Sequence, residues 1–130
     1  MERALLITLG GAIGTLLRYL VSLMAARWLG ADFPYGTLIA NVAGAFVIGV
    51  VQQLGTEPIV VIPDNTRLFL TTGMMGGLTT YSTFSYETVR LMEGGLWTEA
   101  WINIVATTAV CLTLCFVGMG VGRTILSMRG

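Results

Sequence analysis

Residues 73–87 read GMMGGLTTYSTFSYE, and this stretch decides the fold. It lies within a segment from about residue 66 to residue 92 that opens on apolar residues. The stretch holds three glycines within five positions, followed by five threonine or serine residues among the seven from Thr79 to Ser85. Glycine lowers helix propensity by about 1 kcal/mol relative to alanine, and hydroxyl side chains compete for backbone hydrogen bonds. The pattern therefore predicts a helix that is broken near Gly76–Thr79.

The composition of the chain around this stretch is that of a membrane protein. Of its 130 residues 55% are apolar and 11% are charged, whereas soluble domains carry about 25% charged residues. A transmembrane helix needs about 20 apolar residues, so four such helices fit in this length. We expect an all-α integral membrane protein, a single domain over residues 1–130 with four transmembrane helices, the third of them broken. The expected spans are approximately residues 4–27, 36–54, 66–92 and 97–123, with a connecting loop at residues 55–63.

The charged residues exclude several classes of function. Seven arginines balance seven acidic residues, so the sequence has no basic field for nucleic acid. Lysine and histidine are absent from the sequence, which removes a Schiff-base lysine, a histidine general base and histidine metal ligands. No base is paired with a nucleophile in the sequence, so we expect that the protein is not an enzyme.

The orientation of the chain in the membrane is weakly specified. The first apolar run is longer than the ~7–15 residues of a signal-peptide core and follows no positive segment, which favours a retained helix. Arginines near helix ends favour the cytoplasmic side. Four arginines share the end of the termini and the second loop, and two lie at the opposite end: Arg3, Arg67, Arg123 and Arg129 against Arg27 and Arg90. Insertion in both orientations is therefore physically allowed.

Strongly polar side chains at membrane depth are costly unless they are paired or face water. Each of them also has a packing interpretation, because a polar contact between membrane helices contributes about 0.6 kcal/mol. For Asn41 a packing role and a functional role are both open. The polar residues at this depth are Arg18, Asn41, residues 79–85, Glu87, Asn103, Thr107 and Thr108.

The broken segment itself has two interpretations. In one, carbonyl groups released near Gly76–Thr79 hold a cation, and in the other the break is only a structural bend. Beyond the break, a helix places four residues on one face: Thr80, Thr83, Phe84 and Glu87. Tyr81 and Phe84 are also neighbours, and the electropositive edges of their rings form a weak anion-binding surface with nearby hydroxyl and amide donors. These residues indicate a polar path, although composition alone does not single out an anion.

Three motifs resemble the small fluoride ion channels called Fluc or CrcB, and the resemblance spans nearly the whole chain. Residues 10–14 and 17–19, GGAIG and LRY, are similar to the first helix of that family. Residues 34–44, PYGTLIANVAG, are similar to its second helix, and residues 76–87, GGLTTYSTFSYE, to its third-helix signature. The departure is Tyr81, where the best-known members carry phenylalanine.

The resemblance implies a passive, fluoride-selective channel that exports the ion from the cytoplasm and so relieves fluoride toxicity. It implies a multi-pass protein of the plasma membrane, that is, the inner membrane of a bacterial cell. Proteins of this family form antiparallel, dual-topology homodimers with two pores, and a structural sodium ion (Na+) sits at the dimer interface. The implied partners are therefore fluoride, a second copy of the chain and the lipid bilayer.

The resemblance also implies a role for each matching residue. Asn41 would donate a hydrogen bond to fluoride, and Tyr81 and Phe84 would supply paired aromatic edges. Backbone carbonyls of Gly76 and Thr79 would bind the sodium ion. Arg18 would line an aqueous vestibule. Thr37, Thr83 and Glu87 would lie along the polar track. Thr107 and Cys111 on the fourth helix would join them, an assignment that rests on their distance from Phe84 and not on a motif.

Two other classes of function compete with a channel. Proton-coupled exporters similar to the small multidrug transporters are also short four-helix proteins. Their coupling carboxylate lies in the first helix, whereas the first apolar run here carries Arg18 and no acid. A non-transporting assembly subunit is the third class, and the polar third segment would be needlessly costly for it.

Overall fold

The computed structural model describes residues 1–56 and 61–129, and helices form most of them. Within those ranges no strand occurs, so the fold is all-α, as the sequence predicted. The helical elements are α1 (Glu2–Leu29), α2 (Tyr35–Leu54), α3 (Asp64–Leu68), a π-helical segment (Phe69–Met75), α4 (Gly76–Leu78), α5 (Tyr81–Glu93) and α6 (Trp97–Ser127). The predicted loop at residues 55–63 falls partly on residues 57–60, which lie outside the described ranges.

Three helices of the described chain are long and apolar enough to cross a membrane, by length and composition: α1, α2 and α6. Helices α1 and α6 leave most of their apolar side chains exposed. Such continuous apolar surfaces are costly in water and are favoured in hydrocarbon. The protein is therefore an all-α integral membrane protein. The third segment, residues 64–93, is divided into shorter elements and is not one of these three helices.

The third segment is interrupted at Thr79 and Thr80. Their backbones are extended, with φ −82° and ψ 152° at Thr79 and φ −154° and ψ 119° at Thr80. Helix α4 ends just before them, and α5 starts just after them. The Thr80 hydroxyl caps α5 by accepting the Thr83 amide at 3.2 Å. The break thus lies at the end of the window Gly76–Thr79 that the sequence indicated.

The glycines before the break serve close packing, since Gly76 and Gly77 are themselves helical. A Cβ atom on Gly77 would collide with the Gly11 carbonyl of α1 and would lie 3.0 Å from the Thr15 amide nitrogen. Helix α1 therefore approaches the third segment backbone to backbone, as small residues allow in membranes. The hydroxyl-bearing residues, and not the glycines, leave the helix.

Helices α2 and α6 also pack side by side through glycines. An added Cβ atom would collide with the Cys115 carbonyl at Gly49 and with the Phe46 carbonyl at Gly118. The buried core between α2 and the third segment consists of Ala40, Met75 and Leu78. These contacts bring α2, the break and α6 together around one groove.

Gly14→Ala should destabilise the packing of α1. An added Cβ atom at Gly14 would collide with the Met74 carbonyl and would lie 2.9 Å from the Leu78 amide nitrogen. Because backbone atoms cannot yield as a side chain can, we expect a loss of about 1–3 kcal/mol of stability. Thermal unfolding in detergent measures this loss as a lower midpoint. Gly11→Ala is the matched control, since its nearest contact would be the Gly73 carbonyl at 4.0 Å. An equal drop in both variants would contradict the packing argument.

Candidate functional site

An open groove of about 480 Å³ lies where α2, the break and α6 meet. Seven of the predicted site residues line it: Asn41, Gly76, Thr79, Tyr81, Phe84, Thr107 and Cys111. The structure places four others outside it: Arg18, Thr37, Thr83 and Glu87. Within the described part of the chain, the lining includes no acidic or basic side chain. The groove therefore offers amide, hydroxyl, thiol and aromatic groups without a full charge.

Asn41 holds the break from the side of α2. Its Oδ1 atom accepts the Thr80 amide at 2.8 Å, and its Nδ2 atom donates to the Thr80 carbonyl at 3.3 Å. Both backbone groups of this extended residue are thereby satisfied, as buried backbone groups require. A side-chain amide has two N–H hydrogens, so Asn41 keeps one for the groove. The packing role and the functional role of this residue are compatible.

The break redirects backbone amides and so releases carbonyl groups. In a continuous α-helix the Thr80 and Thr83 amides would donate to the carbonyls of Gly76 and Thr79. Here the Thr80 amide donates to Asn41 and the Thr83 amide donates to the Thr80 hydroxyl. Gly76 and Thr79 both line the groove. Their carbonyl oxygens are thus freed from helical bonding at the same place.

Freed carbonyls are suitable ligands for a hard cation. Carbonyls of unwound transmembrane helices coordinate Na+ in other membrane proteins. Across the described residues, no group of three histidine, cysteine or acidic side chains could hold a metal ion. The donor set at Gly76 and Thr79 therefore fits an alkali cation held by backbone oxygen.

Arg18 lies on α1, behind the break. Its Nε atom donates to the Gly77 carbonyl at 3.1 Å, and the side chain is half-buried. Gly77 packs on α1, whereas its neighbour Gly76 lines the groove. Arg18 therefore satisfies a third carbonyl of the interrupted segment, on the face of α4 that contacts α1.

Tyr81 and Phe84 form a tilted ring pair at the start of α5. Their ring centroids lie 5.5 Å apart with an interplanar angle of 50°. The two rings differ in burial, because Phe84 is 8% exposed and Tyr81 is 81% exposed. Phe84 is thus fixed within the protomer, and Tyr81 stands at the rim of the groove.

A second polar pair lies one helical turn beyond the groove. Thr37 precedes Asn41 by four residues on α2, and Glu87 follows Thr83 by four residues on α5. The Thr37 hydroxyl donates to Glu87 Oε1 at 2.9 Å, and Thr83 accepts from the Thr80 hydroxyl at 3.1 Å. Residues four apart share a helix face, so these side chains extend the line of polar groups from the groove towards one end.

Helix α6 supplies the opposite wall of the groove through Thr107 and Cys111, which lie one turn apart. The Thr107 hydroxyl donates to Asn103 Oδ1 at 3.4 Å, so its hydrogen points away from the groove. The Cys111 thiol forms no disulfide. Thr107 and Cys111 therefore contribute one oxygen acceptor and one weak thiol donor to this wall.

A family model described as CrcB-like protein, Camphor Resistance (CrcB), matches residues 5–119. The chain belongs to this family. Three relatives are each named fluoride-specific ion channel FluC. The one from Clostridium perfringens (strain 13 / Type A) is 46% identical over 92% of this chain and 93% of its own length. The one from Geobacter sp. (strain M21) is 42% identical over 96% and 100%, and the one from Sorangium cellulosum (strain So ce56) is 45% identical over 98% and 99%.

The matched region of this CrcB-family chain covers all the candidate residues, from Arg18 to Cys111. Sequence reasoning gave no role to three polar residues beside the groove. Thr71 and Thr108 line it, and Thr88 lies under Phe84. The only sequence signal for them was a hydroxyl side chain at membrane depth, which many transmembrane helices carry for packing alone.

Proposed function

We propose that this protein is a passive, fluoride-selective channel of the plasma membrane that exports fluoride from the cytoplasm and relieves its toxicity. The observation that carries the proposal is the uncharged groove that Asn41 lines together with the ring pair of Tyr81 and Phe84. Curated relatives over nearly the whole chain are named as fluoride-specific channels. A proton-coupled exporter is not favoured, since the described lining of the groove contains no carboxylate.

Fluoride passes only where hydrogen-bond donors replace its water, and the structure indicates which donors are available. The hydroxyl hydrogens of Thr37 and Thr107 are directed to Glu87 and Asn103. Asn41 donates one N–H to Thr80, and the Thr83 oxygen accepts from the Thr80 hydroxyl. Among the described residues, the second N–H of Asn41 and the hydroxyl hydrogen of Thr83 are therefore available as donors. The Asn41 N–H and the ring edges stabilise the anion in the groove, and the Thr83 hydroxyl stabilises it on the polar line beyond the groove. None of these groups carries a full charge. The ion can therefore bind and still leave, as conduction requires.

We infer that the third segment also spans the membrane, which gives four transmembrane spans together with α1, α2 and α6. Its residues 64–93 number about 30, and at ~1.5 Å rise per residue they exceed the ~30 Å hydrocarbon thickness. The two extended residues add to that length, since an extended residue rises ~3.3 Å. Non-helical backbone at membrane depth is tolerated where it lines a cavity, and Thr79 and Thr80 line the groove. The count of four spans follows from this inference, and we propose that they form a single domain over residues 1–130.

The groove favours a second copy of the chain as its cover. Facing lipid, it would present the polar groups of Thr79 and Thr80 to hydrocarbon, which is costly. Tyr81, at 81% exposure, also stands away from its own protomer. An antiparallel, dual-topology homodimer would enclose two such grooves, and the weak arginine bias permits both orientations.

Labelling from each side of the membrane tests the dual topology. Single cysteines replace Glu2 or Met128 in a background in which Cys111 and Cys115 are serine. We expect a membrane-impermeant thiol reagent to label about half of each variant from either face of sealed vesicles. Labelling from one face only would refute the dual-topology dimer.

Fluoride efflux from proteoliposomes tests the function itself. A fluoride electrode and a chloride electrode follow parallel vesicles that contain either salt, with protein-free vesicles as the background. We expect rapid loss of fluoride and retention of chloride. Vesicles that retain fluoride would refute the channel, and equal loss of both anions would refute its selectivity.

We also propose that the Gly76 and Thr79 carbonyls bind a structural Na+ at the dimer interface. A cation that binds only the folded dimer stabilises it by about 2.7 kcal/mol at a hundred times its Kd. Replacing sodium by N-methyl-D-glucamine should therefore lower both the unfolding midpoint and the fluoride flux. Replacing sodium by potassium, another alkali cation, is the control for the larger size of N-methyl-D-glucamine. An unchanged midpoint and flux in the organic cation would remove the site.

A further inference from the structure

A chain of three hydrogen bonds joins the two walls of the groove beneath its surface. The Thr107 hydroxyl donates to Asn103 Oδ1 at 3.4 Å, and Asn103 Nδ2 donates to Thr88 Oγ1 at 2.9 Å. The Thr88 hydroxyl donates in turn to the Phe84 carbonyl at 2.7 Å. Thr107 and Phe84, at the two ends of the chain, both line the groove.

The direction of these bonds is fixed by the donors available. A hydroxyl has one hydrogen, and that of Thr88 goes to the Phe84 carbonyl. The Thr88 oxygen must therefore accept a hydrogen bond from Asn103, and only the NH2 group of the Asn103 side chain can donate it. The side-chain oxygen of Asn103, Oδ1, is then available to accept the Thr107 hydroxyl. Asparagine is suited to this position because it combines a donor and an acceptor on one short side chain.

The linkage is buried and has few substitutes. Asn103 is 1% exposed and Thr88 is 5% exposed, so an unmade bond would leave a polar group without water. In the described chain, α5 packs mainly against α6 and only slightly against α2. The Asn103–Thr88 contact is the side-chain hydrogen bond that connects α5 with α6.

We propose that Asn103 is a positioning residue that sets the distance between Phe84 and Thr107, and thereby the preference for fluoride over chloride. This inference rests on the proposed function, because it assigns to Asn103 the placement of the ring edge in the fluoride path. Asn103 acts through Thr88 and does not contact the ion. A loosened α5 would widen the groove and admit the larger chloride ion, while the donors that face fluoride remain in place.

A matched pair of substitutions at Thr88 tests the proposal. Thr88→Val keeps the shape of the side chain and removes the hydroxyl, whereas Thr88→Ser keeps the hydroxyl. We expect Thr88→Val to lower the fluoride-to-chloride flux ratio about tenfold, because it leaves the Asn103 amide without a buried partner. Thr88→Ser should stay within about twofold of the wild-type ratio, since its hydrogen bonds are retained.

Substitution of the other partner completes the test. Asn103→Leu should lower the ratio in the same direction, and the double variant with Thr88→Val should be no worse than the more affected single variant. Residues that act through one bond give non-additive effects of this kind. Thr113→Val is the control on α6, since the Thr113 hydroxyl bonds only to Ala109 of its own helix. It should leave the ratio unchanged.

The outcomes separate this proposal from the channel itself. Wild-type vesicles that release no fluoride would refute the proposed function before any variant is compared. A wild-type ratio in Thr88→Val, or an equal fall in Thr88→Ser, would overturn the role of Asn103. If either Thr88→Val or Asn103→Leu gives no folded protein, the fluoride-to-chloride flux ratio of the other variant decides. Loss of folded protein from both Thr88→Val and Asn103→Leu would overturn positioning in favour of a purely structural role.

Discussion

Asn41→Asp should reduce fluoride flux about a hundredfold or more while the protein still folds. The substitution is nearly isosteric, and its oxygen can still accept the Thr80 amide that Asn41 accepts at 2.8 Å. The other oxygen replaces the NH2 group, so the N–H that donates to the Thr80 carbonyl and the second N–H of this groove-lining residue are both lost. A carboxylate beside the path repels an anion, and about 2.8 kcal/mol of added barrier corresponds to a hundredfold in rate. Each 1.4 kcal/mol corresponds to about tenfold in rate.

Proteoliposome efflux measures the loss, and size-exclusion chromatography in detergent shows whether the variant is folded. Asn65→Asp is the matched control, because Asn65 lies in α3, is exposed and, within the described ranges, forms one side-chain hydrogen bond, to Glu2 at 3.5 Å. We expect it to conduct as the wild type does. Undiminished, selective flux in Asn41→Asp would remove Asn41 from the fluoride path.

The break in the third segment shows how far local sequence rules extend. Helix propensity identified the interrupted region from its glycines and hydroxyl residues. It did not reveal that Gly77 serves the contact with α1, because that requires knowing which helix lies beside it. The extended conformation of Thr80 depends on Asn41, which is 39 residues away in sequence and bonds to both its backbone amide and its backbone carbonyl.

The candidate site likewise combines features that local sequence rules predict with features that depend on tertiary packing. The spacing of three residues predicted Tyr81 beside Phe84, and their ring centroids lie 5.5 Å apart, since helical periodicity is a local property. The position of Asn103 under Phe84 depends on how α5 folds back on α6 through Thr88. No spacing in the sequence encodes that register, so Asn103 remained one polar residue among several.

Phe84→Ile should lower fluoride flux at least about tenfold, the worth of the ring edge that it removes. Phe84 is 8% exposed and lines the groove, so isoleucine keeps most of the apolar bulk and loses only the electropositive edge. Tyr81→Phe keeps its ring, and we expect it to conduct. Phe116→Ile controls for the substitution itself, because Phe116 is 71% exposed on α6. It should leave flux unchanged.

The measurement is again fluoride efflux, normalised to the amount of folded protein in the vesicles. A wild-type rate in Phe84→Ile would show that apolar bulk alone suffices at this position. Reduced flux in both Phe84→Ile and Phe116→Ile would instead indicate a general loss of packing. The Phe84 ring lies beside Tyr81, and its backbone carbonyl accepts the Thr88 hydroxyl at 2.7 Å. Of the two variants, therefore, only Phe84→Ile alters the surface that the ion meets. A deficit confined to Phe84→Ile therefore assigns the aromatic edge to conduction.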